Sequence, residues 1–214
     1  MPKKTGILFV IVGAVLMLSA LLLFLSNRAE DRFAHQQAEL LMDELQTLLE
    51  EQPAPEPPLT SFELEIAAKP KQEETAPEEL PEEMPVVVVD GFEYIGYLSI
   101  PDLELELPIM AQWDDYRLTL APCRHFGSSR TDDLVIAGHN YIAHFAYLST
   151  LQIGAEVTFT DMDGIENHYV LRKMENLLPE SVDAVQNSGC DLVLYTCTPG
   201  RAARVVAFFD RAEQ

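Results

Sequence analysis

The chain has 214 residues, 48% of them hydrophobic, with 35 acidic residues against 14 basic ones and a formal net charge of -21. That length fits one or two domains. The charge excludes the basic footprint that a nucleic-acid binder needs, so no nucleic-acid partner is expected.

Residues 6–25, "GILFVIVGAVLMLSALLLFL", carry no charge. As a helix rising 1.5 Å per residue, the run is about 30 Å long, the thickness of a bilayer core. A cleaved signal peptide has a shorter apolar region and an A-x-A-like site, so residues 1–28 are read as an uncleaved membrane anchor. Lys3 and Lys4 precede the run, and Arg28 and Arg32 follow it among acids. The basic residues are therefore balanced; the favoured orientation is N-terminus cytoplasmic, with the remainder extracellular and a single span in the cell membrane.

Residues 29–52 place Phe33, Leu41, Leu45 and Leu48 at helical spacing among acids and glutamines. The pattern predicts an amphipathic helix just outside the membrane. It is read first as a stalk without chemistry; the other reading has it pair with a second copy or with the catalytic domain. Residues 53–85 hold eight of the fourteen prolines and many glutamates. This composition favours extended polyproline-II structure and predicts a semi-rigid linker with a reach on the order of 100 Å. Within it, "LTSFELEI" alternates and reads as a weak strand or docking element.

Residues 86–214 are left to build a core. Short β-branched or aromatic runs recur: "VVVV", "YIGYLSI", "LELEL", "DLVIAG", "AEVTFT", "NHYVLRKME", "DLVLYT" and "RVVAFF". Asp-Gly, Pro-Asp and Pro-Gly turns separate many of them. About eight strands in this length predict a mainly β fold, a closed or nearly closed barrel with short helices. "IAHFAYLSTL" reads as a short helix or helical turn.

One cysteine, Cys197, stands at the end of an apolar strand and just before a Thr-Pro-Gly turn. A strand end is a rigid platform, and the turn exposes the side chain. A free thiol is only slightly ionised at neutral pH, so a nucleophilic one needs a base or cation nearby. His139, at the end of the strand in "LVIAGHN", is the first choice, with Gly138 allowing close approach. His125 is the second choice; His144 is expected to pack or to face solvent, His168 lies within a strand, and His35 is in the stalk. Arg204 opens the last strand and can offer donors to a carbonyl or oxyanion, whereas Arg201 lies in the turn. Three cysteines are an odd number, so pairing Cys123 with Cys190 would leave Cys197 free; two reduced thiols are the preferred alternative.

These residues resemble the sortases, the cysteine transpeptidases of Gram-positive surfaces. The family signature Thr-Leu-x-Thr-Cys followed by an arginine is matched by Leu194, Thr196, Cys197 and Arg204, with Val193 in place of the first threonine. Val135 to His139 matches the family's histidine strand, and "IGYLSIPDLELELPI" and "RHFGSSRTDDLVIAGH" resemble its earlier segments. The resemblance spans about residues 94–210. It implies a sortase-type barrel and a catalytic set of His139, Cys197 and Arg204, with Thr196 binding substrate. The implied reaction cleaves an LPxTG-like sorting signal through a thioacyl intermediate. The acyl group then passes to an amine of a cell-wall precursor or of a pilin. No cofactor and no metal is implied as essential, although some relatives use calcium as an activator. The class is B-like, D-like or clostridial, since there is no second apolar span and no Asp-Pro-aromatic lid motif. The rival readings are a cell-wall cysteine hydrolase and a membrane-tethered β-domain without enzymatic activity. The order histidine, cysteine, arginine disfavours the first.

Overall fold

The computed structural model describes residues 2–51 and 81–212. Most of the expected linker 53–85, including the alternating "LTSFELEI", lies outside them. A single helix, α1, runs from Pro2 to Glu51, passing residue 28 without a break. Its apolar part exposes large side chains all round, including Leu16, Met17 and Leu23. Water does not tolerate such a surface on an isolated helix, so this segment is a candidate membrane span.

The rest is β structure. Nine strands follow in order: β1 (Val87–Val89), β2 (Phe92–Ile100), β3 (Leu105–Met110), β4 (Cys123–Phe126), β5 (Leu134–Ala137), β6 (Glu156–Asp161), β7 (Glu166–Leu177), β8 (Leu192–Cys197) and β9 (Arg204–Arg211). Two short helices, α2 (Arg117–Leu120) and α3 (Val182–Gln186), interrupt them. β2 pairs with both β3 and β6, so the eight strands β2 to β9 close on themselves in a ring. β1 is an extra strand hairpinned onto β2. Its turn is Asp90–Gly91, both with positive φ, the backbone that Asp-Gly supplies readily in tight hairpins. Most pairings are antiparallel, but β3–β4 and β5–β8 are parallel. The expected eight-stranded closed barrel is therefore present.

The expected strands differ from the observed ones in two respects. "VVVV" was counted in the barrel and lies outside its ring, while β4, "CRHF", was not expected as a strand. Its four residues carry neither alternation nor a β-branched run. It is held by pairing with β5 and by a bulge between Arg124 and Phe126.

Side chains fill the barrel, and the strands around the site are covered outside as well. On β8, Leu192 and Leu194 pack in the barrel interior, and Val193 and Tyr195 pack on the outer face under Val185 of α3. Burial on both faces explains why "LVLY" reads as one continuous apolar run. α1 covers another side. Ala34, Ala38, Leu41, Met42 and Leu45 are buried, and Leu41 and Leu45 pack with Tyr94, Met110 and Cys123. The segment read first as a free stalk thus lies against the barrel. Phe33, assigned to its apolar face, is exposed.

Candidate active site

The parallel pairing of β5 with β8 sets the geometry. Ala137 lies opposite Tyr195, and the Gly138 amide donates to the Tyr195 carbonyl at 3.0 Å. His139 and Cys197 each stand two residues beyond that pair, at matching ends of neighbouring strands. β8 then pairs with β9 in antiparallel register, which sets Arg204 directly opposite Cys197. His139, Cys197 and Arg204 line one cavity of about 390 Å³, and all three are half-buried. Side chains alternate along a strand. Cys197 therefore shares the outer face of β8 with Tyr195, while Thr196 shares the inner face with Leu194.

The turn between β8 and β9 is Thr198–Arg201. The Arg201 amide donates to the Thr198 carbonyl at 2.8 Å. Gly200 takes positive φ there, as the third position of a Pro-Gly turn demands. The Thr198 hydroxyl accepts from the Ala203 amide at 3.0 Å, which locks the return into β9. Arg201 is exposed at the cavity rim, and Arg204 lies deeper.

His139 is held by its own loop. A Cβ on Gly138 would stand 2.4 Å from the Phe145 ring, so only glycine lets Phe145 pack there. The Phe145 amide donates to the His139 carbonyl at 3.1 Å. The His139 ring lies 4.7 Å from the Tyr141 ring. Burial lowers the His139 pKa below the ordinary histidine value, and the Arg201 charge lowers it further, against the pull of Asp115 and Glu30.

The other histidines separate cleanly. His144 is wholly buried, and neither ring nitrogen has a hydrogen-bond partner. Burial, and next the charge of His139, push its pKa down to about 4. His125 is on β4, and it meets the Tyr195 hydroxyl at 2.7 Å outside this cavity. His168 is exposed on β7, and His35 is exposed on α1.

Thr196, expected at the substrate, does not line the cavity; its hydroxyl is buried without a hydrogen-bond partner. Its place on the inner face of β8 is the reason. Two residues that sequence reasoning left out do line it: Glu30 and Asp31 of α1. Asp31 accepts a hydrogen bond from the Ile142 amide at 3.2 Å. Nothing local in the sequence marks them, because the contact spans more than a hundred residues. Cys123, Cys190 and Cys197 are all free thiols, with Cys123 buried. Among the described residues, no group of three or more His, Cys, Asp or Glu side chains is placed to hold a metal ion.

No curated protein matches the chain. Among solved structures it is similar to sortase A from Corynebacterium diphtheriae, at 23% identity and a TM-score of 0.52 over 62% of this chain and 63% of that one. It is also similar to sortase C1 from Streptococcus agalactiae, at 23% identity and a TM-score of 0.51 over 59% and 72% of the two chains. A third is sortase C from Clostridium perfringens with the C-terminal cell wall sorting motif, at 19% identity and a TM-score of 0.50 over 56% and 71%. The chain spans less than two thirds of the Corynebacterium protein, and at these identities the likeness is one of fold. The sortase-domain family model, however, matches residues 98–212, more than half of the chain and the whole ring of strands beyond the start of β2. With a closed barrel and a cysteine, a histidine and an arginine at adjoining strand ends, the chain belongs to the sortase family.

Proposed function

We propose that this chain is a membrane-anchored cysteine transpeptidase acting on an LPxTG-like sorting signal. One observation carries the reading: the β5–β8–β9 register sets His139, Cys197 and Arg204 around a single cavity. The Cys197 thiolate attacks the carbonyl carbon of the scissile peptide bond. Arg204 donates to the oxygen as negative charge develops on it. As the C–N bond breaks and the thioester remains, protonated His139 gives its proton to the departing amine. An incoming amine then attacks the thioester, passes a proton to neutral His139 and expels the Cys197 thiolate. Splitting the transfer in this way replaces one hard step by two easier ones.

The acceptor is an amine of a cell-wall precursor or of a pilin. The structure of the Clostridium sortase C with the C-terminal cell wall sorting motif supports a peptide donor of this kind. α1 anchors the enzyme with its N-terminus cytoplasmic and the barrel, residues 86–214, extracellular as the catalytic domain. Substrate binding by Thr196 rests on the sequence motif alone.

The test uses the full chain in detergent or nanodiscs with an LPxTG-like peptide. Cys197→Ala abolishes cleavage, and Arg204→Ala lowers kcat/KM by about 100-fold or more. Without an amine acceptor, intact-mass spectrometry finds the acyl adduct on Cys197. An adduct on Cys123 or Cys190, or full activity without Cys197, refutes the mechanism. Hydrolysis that added amine does not divert to a transfer product would instead identify a peptidase.

A further inference from the structure

Arg204 and Arg211 each lie over a tyrosine ring, 5.2 Å from the centroids of Tyr195 and Tyr169, but their other partners differ. Arg130 and Arg211 are each gripped by carboxylates, Asp161 and Asp163 for the first and Asp132 for the second. Arg204 has no carboxylate partner among the described residues. Its guanidinium lies over the Tyr195 ring without that grip. The β8–β9 register explains the contact. Arg204 pairs with Cys197, and Tyr195 is the next residue on that face of β8.

Tyr195 is itself fixed. Its ring is buried, and its hydroxyl meets Nδ1 of His125 at 2.7 Å. His125 in turn packs at a tilt against Phe126 at 3.9 Å and Trp113 at 5.0 Å between ring centroids. Burial, and next the Arg204 charge, lower the His125 pKa, which favours the neutral ring; in its Nε2–H tautomer Nδ1 accepts from the hydroxyl.

We propose that Tyr195, pinned through its hydroxyl by His125, is a positioning residue for Arg204, carrying the guanidinium on its ring face so that the N–H donors stay free for the substrate oxygen. The chemical logic is a comparison of holders. A carboxylate would fix the arginine by occupying donors and would neutralise the charge needed at an oxyanion. A π face attracts the cation while occupying none of its donors. The inference rests on the role of Arg204 in the proposed reaction.

The experiment replaces Tyr195 in the full chain with phenylalanine, then with mono-, di- and trifluorophenylalanine. Fluorine drains the ring face while the shape changes little. Tyr195→Phe keeps the platform and loses the His125 anchor, so kcat falls by about threefold. Across the fluorinated series kcat then falls stepwise, on the order of tenfold in total, while KM moves little. In an Arg204→Lys background the series flattens, because a lysine lacks the forked donors whose aim the ring controls. A flat series in the wild-type background overturns the inference, as does an equal slope in both backgrounds. If Arg204→Lys and Arg204→Ala retain full activity, the assigned role of Arg204 falls first, and the inference with it. A flat series together with a severe Arg204→Ala defect overturns the inference alone.

Discussion

His139 carries the proton transfers of the proposed reaction, and its neighbours decide when it is charged. Arg201 stands at the cavity rim and disfavours the imidazolium. Arg201→Ala is therefore expected to raise the His139 pKa toward the ordinary value while costing little activity, since Arg204 remains. Titration of the His139 ring by NMR checks the direction; an unchanged or lowered pKa contradicts it. His144, five residues on, has a different consequence. In the unfolded chain it takes up a proton near 6.5, but in the fold only near 4. Stability is then complete above the upper value and is lost as pH falls between the two, by on the order of 3 kcal/mol. His139, also depressed, adds in the same sense. His144→Phe should flatten the fall in urea midpoint between pH 7 and pH 4.5; an equally steep fall in the variant would show that the acid sensitivity lies elsewhere.

At the scale of elements, α1 closes one flank of the barrel. Leu45 is fully buried between α1 and the barrel, beside Tyr94 and Cys123. Leu45→Glu puts a charge into that seam, which costs several kcal/mol unless the helix lifts away. The expected result is an intact barrel with its flank opened. Cys123, now buried, becomes reactive to a maleimide, whereas the labelling of Cys190 is unchanged. If Cys123 stays protected, the seam does not depend on Leu45. This element also shows what a sequence makes legible. β8, β9 and their turn were readable because β-branched runs end at Pro-Gly, and the histidine strand was readable because it is short, apolar and ends at Gly138. β4 was not, because its residues borrow their strand geometry from β5. The docking of α1 was not, because leucines at helical spacing look the same on a free stalk as on a docked one. Tyr195 was legible only as strand; its contact with Arg204 emerges once the β8–β9 register is known.

At the scale of the whole molecule, the apolar segment and the barrel are joined by one uninterrupted helix, and the acidic pair that follows the apolar segment borders the cavity. Glu30 lies five residues beyond Leu25, a rise of roughly 8 Å along the helix. With α1 in a bilayer, the cavity would open just above the surface. The protein thus carries a ruler. Eleven helical residues inserted after Ser26 add about three turns, preserve the docked face and lift the site by roughly 16 Å. Turnover of a peptide free in solution should then stay within about twofold, while turnover of a substrate tethered in the same vesicle falls as its local concentration at the raised site drops. Equal turnover of the tethered substrate at both heights would mean that the spacing is immaterial. In the proposed reaction, with substrates confined to a surface, stature above the membrane becomes a selectable trait, adjustable in steps that keep the docked face in register.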